Sequence, residues 1–215
     1  MPTLTIPARF TGPPDSANGG VTCGLVAQAT GLDEVTLRTP PPLETPLRVV
    51  GSEVHDGETL VATAAAATVD LVPPAPVGVA EAREATTRYG GLTEHPFPTC
   101  FVCGPAKADG LRLFPGPVGD GVAATPWVPA DQDPVMVWAA LDCPGGWSLD
   151  LPGRPMVLGR MALRLDELPQ PGEEHVVMGW RVSLEGRKAF TGSALFTAAG
   201  ELLAVARQTW IAVSP

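Results

Sequence analysis

The 215-residue sequence predicts an α+β fold made of two repeats, each an antiparallel sheet wrapped around one central helix. Three observations carry this. Each half of the chain reads strand, apolar helix, then a run of strands. A local echo links the halves, GSEVHDGETLVATA from Gly51 against GSALFTAAGELLAVA from Gly192: a Gly-Ser start, a turn closed by Gly-Glu, then an apolar strand. The 24 glycines and 25 prolines fall between regular apolar segments, which points to many tight turns.

Residues 3–10 read as a strand, and Gly12-Pro13-Pro14 then turns the chain into a helix over 17–30. Val21, Gly24, Leu25 and Gln28 stand at helical spacing, and Gly31 is the stop. Glycines such as Gly19 and Gly20 in a first helical turn each cost on the order of 1 kcal/mol relative to alanine, so they mark close backbone packing or a ligand. Strands follow over 34–39, 47–54 and 59–68, and the first half looks one hairpin short. A proline-rich connector over 73–79 leads to a short helix with a solvated charged face, 79–89. In the second half, 111–114 and 121–128 read as strands, 134–143 as the second central helix, and 156–165, 175–184, 189–197 and 202–213 as alternating strands. The expected division is a first repeat over 1–78, a linker over 79–98 and a second repeat over 99–215.

The chemistry concentrates in WAALDCPGGW, residues 138–147. Asp133 and Pro134 open the helix as cap and first residue, and Val135 through Leu141 are apolar all round, so the segment should be buried. An ionised Asp142 there costs several kcal/mol unless it is paired, hydrogen-bonded or beside a wet cleft. Pro144-Gly145-Gly146 then ends or kinks the helix and lets a ligand approach the backbone. Asp142 is therefore either a catalytic group or a structural cap. Trp138 and Trp147 flank it as core residues or as walls of an acyl pocket. Arg164, in the otherwise apolar ALRL, grips an anionic ligand, pairs with Asp142 or faces solvent.

The net charge of -9 disfavours nonspecific binding to nucleic acid or anionic membrane. No export signal or long apolar span is evident, so a soluble, cytoplasmic protein is expected. Four cysteines without even spacing fit reduced thiols. Cys100 and Cys103 form a lone CxxC, half of a zinc site. Cys23 and Cys143 stand isolated in sequence and His95 is the only nearby histidine, so no metal is assigned.

A long helix wrapped by an antiparallel sheet, twice in one chain, resembles the double-hotdog acyl-CoA thioesterases over nearly the whole length. Phe10 through NGGVTCGLVAQA resembles that family's Gly-Gly helix start, with Asn18-Gly19-Gly20 nearest to its HGG motif. WAALD resembles the helix that ends in the catalytic aspartate, and GSALFTAAGELLAVARQTW the strand pair that ends in the catalytic glutamine. CFVCGPAKADGL resembles the lead-in of many single-hotdog thioesterases. The resemblance implies Asp142 as base and Gln208 as the water-positioning group on an acyl thioester substrate, with no cofactor; Asn18, Gly19, Gly20, Trp138 and Arg164 are, from their own chemistry, the candidate substrate-binding residues around them. The family's third polar residue, a hydroxyl before Ile/Leu-Asp-His, has no counterpart at Arg164-Leu165-Asp166-Glu167. A non-catalytic acyl-binding protein on the same fold is the alternative. A chain with both repeats is expected to work as a monomer or to pair through exposed sheet edges.

Overall fold

The computed structural model describes residues 2–213. Its strands are β1 (Thr3–Leu4), β2 (Glu34–Leu37), β3 (Leu47–Val50), β4 (Glu53–Asp56), β5 (Thr59–Ala65), β6 (Gly116–Gly119), β7 (Val122–Trp127), β8 (Met156–Leu165), β9 (His175–Glu185), β10 (Lys188–Thr197) and β11 (Leu202–Ala212). Its helices are α1 (Gly19–Thr30), α2 (Val79–Thr86) and α3 (Pro134–Trp147). All strands join one antiparallel sheet in the order β1-β3-β4-β5-β2-β8-β11-β10-β9-β7-β6. The order is mirrored about the β2–β8 pair: β2, β5, β4, β3, β1 on one side match β8, β11, β10, β9, β7 on the other. Each half thus has one central helix and the same five-strand set, and the fold is a double hotdog. The seam is short, with Glu34, Val35 and Thr36 opposite Ala162, Met161 and Arg160.

Three expectations need correction. The first half lacks no hairpin: residues 47–54 are two strands, β3 and β4, because Gly51 takes φ 60° and turns the chain with Ser52. The first-half strands are only shorter. Residues 111–114 are not a strand; Arg112 has φ 55°, and Leu111 and Leu113 donate irregularly to the carbonyls of Phe101 and Val102. The sheet continues instead through β6. Nor does α3 stop before Pro144, which sits inside a helix running to Trp147.

Two apolar layers form. The inner core holds both central helices and the inward residues of the sheet, among them Leu141, Met161, Leu163 and Leu195. On the outer face of the second half, the connector after β5 and helix α2 cover Met178, Trp180, Phe196 and Val205 with Val69, Leu71, Val77 and Ala82. The segment 66–79 is thus part of the packing. On the seam's outer face Glu34 pairs with both Arg160 and Arg207.

Helices α1 and α3 touch along glycines. A Cβ on Gly20 would lie 2.5 Å from Asp142 Cβ and 2.7 Å from the Trp138 carbonyl oxygen, and one on Gly24 would lie 3.0 Å from Trp138 Cβ. Close packing therefore accounts for the helix-weakening glycines. Asn18 caps α1 by accepting from Val21 N, and Gly31, at φ 70°, closes its other end. Gly20→Ala forces the two helices apart. It is expected to lower the unfolding free energy by about 1–3 kcal/mol, as overpacking does, read from urea denaturation.

Candidate active site

Asp142 sits on α3 where α1 begins, and it is 2% exposed. Its Oδ2 accepts from Asn18 Nδ2 at 2.9 Å and from Gly20 N at 3.0 Å. The second bond takes one of the N–H groups that a helix start leaves without an internal partner, at the positive end of the helix dipole. Asp142 Oδ1 is buried with no hydrogen-bond partner among the described residues. Burial, helped by the nearby Cys100, pushes the carboxyl up to about 7, against the opposing pull of the Gly20 and Asn18 hydrogen bonds.

A narrow cavity of about 40 Å³ lies against Asp142, walled by Asn18, Gly19, Cys100, Cys143, Trp147 and Leu158. That is room for roughly one to three waters. Gly19, as the first helical residue, has an N–H without an acceptor inside the helix. Beyond Gly19, Val157 and Leu158, which line both spaces, opens a mostly apolar groove of about 340 Å³ lined by Pro13, Leu37, Arg38, Pro41 and Ile211.

Gln208 has a different task from the one expected. It is fully buried on β11, and its Nε2 donates to the carbonyls of Leu141 at 2.7 Å and Asp142 at 3.0 Å. Its Oε1 accepts from Thr191 Oγ1 at 2.8 Å, and Ser193 Oγ donates to Leu141 O at 2.6 Å. Gln208 and Ser193 thus add side-chain bonds to the carbonyls of the turn just before Pro144, tying this part of α3 to β11 and β10. Gly145 makes room for this, since a Cβ there would lie 1.7 Å from Gln208 Oε1. The amide braces the backbone of Asp142 and does not reach its carboxylate.

Two other expected residues lie elsewhere. Arg164 faces the outer side of the sheet, bonding Asp166 at 3.1 Å and the Val69 carbonyl at 3.0 Å, so it neither pairs with Asp142 nor enters its cavity. Strand alternation explains this: Leu163 goes inward and Arg164 outward. Trp138 lines, with Arg164 and Gly24, a separate cleft of about 590 Å³. Trp147 is the tryptophan of α3 beside Asp142, and its ring packs edge-on against Tyr89 and His95.

Sequence reasoning missed the hydroxyls Thr191 and Ser193, although the alternation of β10 marks them as inward. It also missed that Cys143 is not isolated. Its Sγ lies 3.7 Å from Cys100 Sγ, and Cys103 joins them. All four cysteines are free and buried. Burial pushes the Cys103 and Cys143 thiols up, whereas hydrogen bonds from those two hold Cys100 down. His95 Nε2 lies 3.4 Å from Cys103 Sγ.

Among solved structures the chain resembles proteins with this architecture along its full length. A hot dog fold protein of unknown function from Alicyclobacillus acidocaldarius superposes with a TM-score of 0.66 at 14% identity, covering 99% of this chain and 93% of that one. A candidate thioesterase from Novosphingobium aromaticivorans gives 0.64 at 17% identity, with 99% and 95% covered. The tesB protein of Mycobacterium avium subs paratuberculosis gives 0.60 at 11% identity, with 99% and 92% covered. No family model and no curated protein sequence matches the chain. The chain has the hot dog fold. Its site is a buried carboxylate held at a helix start beside a small cavity. No helix among the described residues is long and apolar enough to cross a membrane.

Two substitutions separate these roles. Gln208→Ala removes a donor from the Leu141 and Asp142 carbonyls and the acceptor of Thr191, and is expected to cost about 1–3 kcal/mol, seen as a lowered Tm. Arg164→Met breaks an ion pair whose side chains are 42% and 45% exposed, and should change stability by less than about 1 kcal/mol in the same melt.

Proposed function

We propose that the protein is a thioester hydrolase acting on acyl-CoA-like substrates, with Asp142 as general base. The observation that carries this is the unpartnered Oδ1 of Asp142, buried on the wall of a water-sized cavity at the end of an apolar groove. Oδ1 takes a proton from a water in the cavity, and the water oxygen attacks the thioester carbonyl. The free N–H at the start of α1 stabilises the oxyanion; collapse of the tetrahedral adduct breaks the C–S bond, and the proton held by Asp142 passes to the departing thiolate, which restores the base. Asn18 and Gly20 fix the carboxylate so that Oδ1 alone faces the water. The acyl chain lies in the mostly apolar groove beside this cavity. The same proposal sets the protein in the cytoplasm, with neither nucleic acid nor membrane as partner.

A second reading, an acyl-binding protein without turnover, is favoured by Gln208. With its amide donating to two backbone carbonyls and accepting from Thr191, Gln208 is not free to orient the water.

A panel of acyl-CoAs of increasing chain length, assayed by release of free thiol, separates the two. Wild-type turnover with a kcat lowered roughly 10²–10⁴-fold in Asp142→Asn is expected, the usual contribution of a general base. Turnover unchanged in that variant removes Asp142 from the mechanism. Tight binding of acyl-CoA by the wild type with no thiol released establishes the binder.

A further inference from the structure

The thiols beside Asp142 form a cluster that thioester hydrolysis does not use. Cys100 and Cys103 lie in a tight turn, where Cys100 N donates to Phe97 O and Gly104 N to Cys100 O, and where a Cβ on Gly104 would lie 2.5 Å from Cys100 N. This turn is docked on the amino-terminal loop by Phe101 N donating to Thr11 O and by the edge-on Phe10–Phe101 contact. Cys143 comes from α3, so the cluster joins two elements far apart in sequence. The three sulfurs lie within 4.8 Å of one another, all buried.

We infer that Cys100, Cys103 and Cys143 bind a tetrahedral thiolate-preferring divalent cation, zinc foremost, with His95, which touches Cys103 but stands outside the 4.8 Å sulfur cluster, moving in as the fourth ligand. With metal–sulfur bonds of about 2.3 Å and metal–nitrogen bonds of about 2.0–2.1 Å, a regular tetrahedron has edges of roughly 3.8 Å between sulfurs and 3.5 Å from sulfur to nitrogen. The separation of 3.7 Å between Cys100 and Cys143, and that of 3.4 Å between Cys103 Sγ and His95 Nε2, match those edges. At 3.7 Å the sulfurs are far from disulfide length.

The surroundings suit a negatively charged sulfur cage. Asn18 Nδ2 donates to Cys100 Sγ at 3.6 Å, and the buried Trp147 Nε1 has no partner in the cavity wall it shares with Cys103 and Cys143. Such N–H groups orient thiolate ligands and spread their charge. His95 is the weakest of the four ligands. Phe97 N donates to its Nδ1 at 2.9 Å, so the ring proton sits on Nε2, and ligation through Nε2 shifts that proton to Nδ1 at the expense of the Phe97 bond. The bound ion closes a four-ligand structural site that clamps the 95–103 segment onto α3. The clamp is independent of whether the chain hydrolyses thioesters.

Cobalt(II) titration of the purified full-length chain, after chelator treatment and under reducing conditions, tests this. One equivalent per chain is expected, with the thiolate charge-transfer and tetrahedral d–d absorption bands, both lost on adding zinc. Cys103→Ser and Cys143→Ser should each weaken binding at least 100-fold, His95→Asn about 10-fold, and Cys23→Ala not at all. The Tm of the wild type should fall on chelation and return with zinc, a readout that survives if a cysteine variant fails to fold. Cobalt bound without a thiolate band, or a wild-type Tm indifferent to both chelator and zinc, overturns the site. Unchanged affinity in His95→Asn overturns the fourth ligand.

Discussion

The contact on which the structure depends is that of α1 with α3, made backbone to backbone at Gly20 and Gly24. Two central helices of ordinary composition stand apart by the width of their side chains. Here the missing side chains let the start of one helix reach a carboxylate on the other, so that Gly20 N and Asn18 Nδ2 both meet Asp142 Oδ2. The helix-weakening effect of glycine is offset by satisfying a buried acceptor that would otherwise be far more costly. Packing and site chemistry are thus one arrangement: the residues that bring the repeats together also orient the carboxylate.

The second half of α3 depends on the sheet in a comparable way. Pro144 removes a helical donor, and Gly145 and Gly146 add flexibility, yet the helix runs to Trp147, with Gln208 and Ser193 bonding the Leu141 and Asp142 carbonyls from β11 and β10. Gly179, whose added Cβ would meet Pro144 O at 2.0 Å, lets the kink press against β9. The helix is wedged into the concave face, and Asp142 has a fixed backbone on one side and a fixed hydrogen-bond pair on the other.

Much of this was legible before the coordinates. The alternation of β8 to β11 marks their extent to within a residue or two, the Gly31 stop ends α1, and the Gly-Ser echo corresponds to the paired hairpins β4–β5 and β10–β11. What local pattern misled about was set by long-range partners. Residues 47–54 hide a hairpin because apolar residues flank a two-residue turn with no asparagine or proline to announce it. Pro144 reads as a stop because the side chains that bond this turn come from 52 and 67 residues beyond Leu141. For the same reason the role of Gln208 and the meeting of Cys143 with the CxxC turn were out of reach: the side chains concerned are neighbours only in the folded chain. Arg164 was legible in principle, since strand parity sends it outward from an inward Leu163.

The β2–β8 seam has one more consequence. In an assembly of two identical subunits every substitution appears twice, so a residue that suits one side of the site has to be tolerated on the other. Joining the repeats in a single polypeptide removes that coupling. Helix α1 carries no carboxylate but supplies a glycine-rich start; α3 supplies the aspartate and ends in a kink that α1 lacks. Each copy has been free to specialise, one as donor and one as acceptor, and the shortened strands of the first half show how far a copy can shrink once its partner carries the longer sheet.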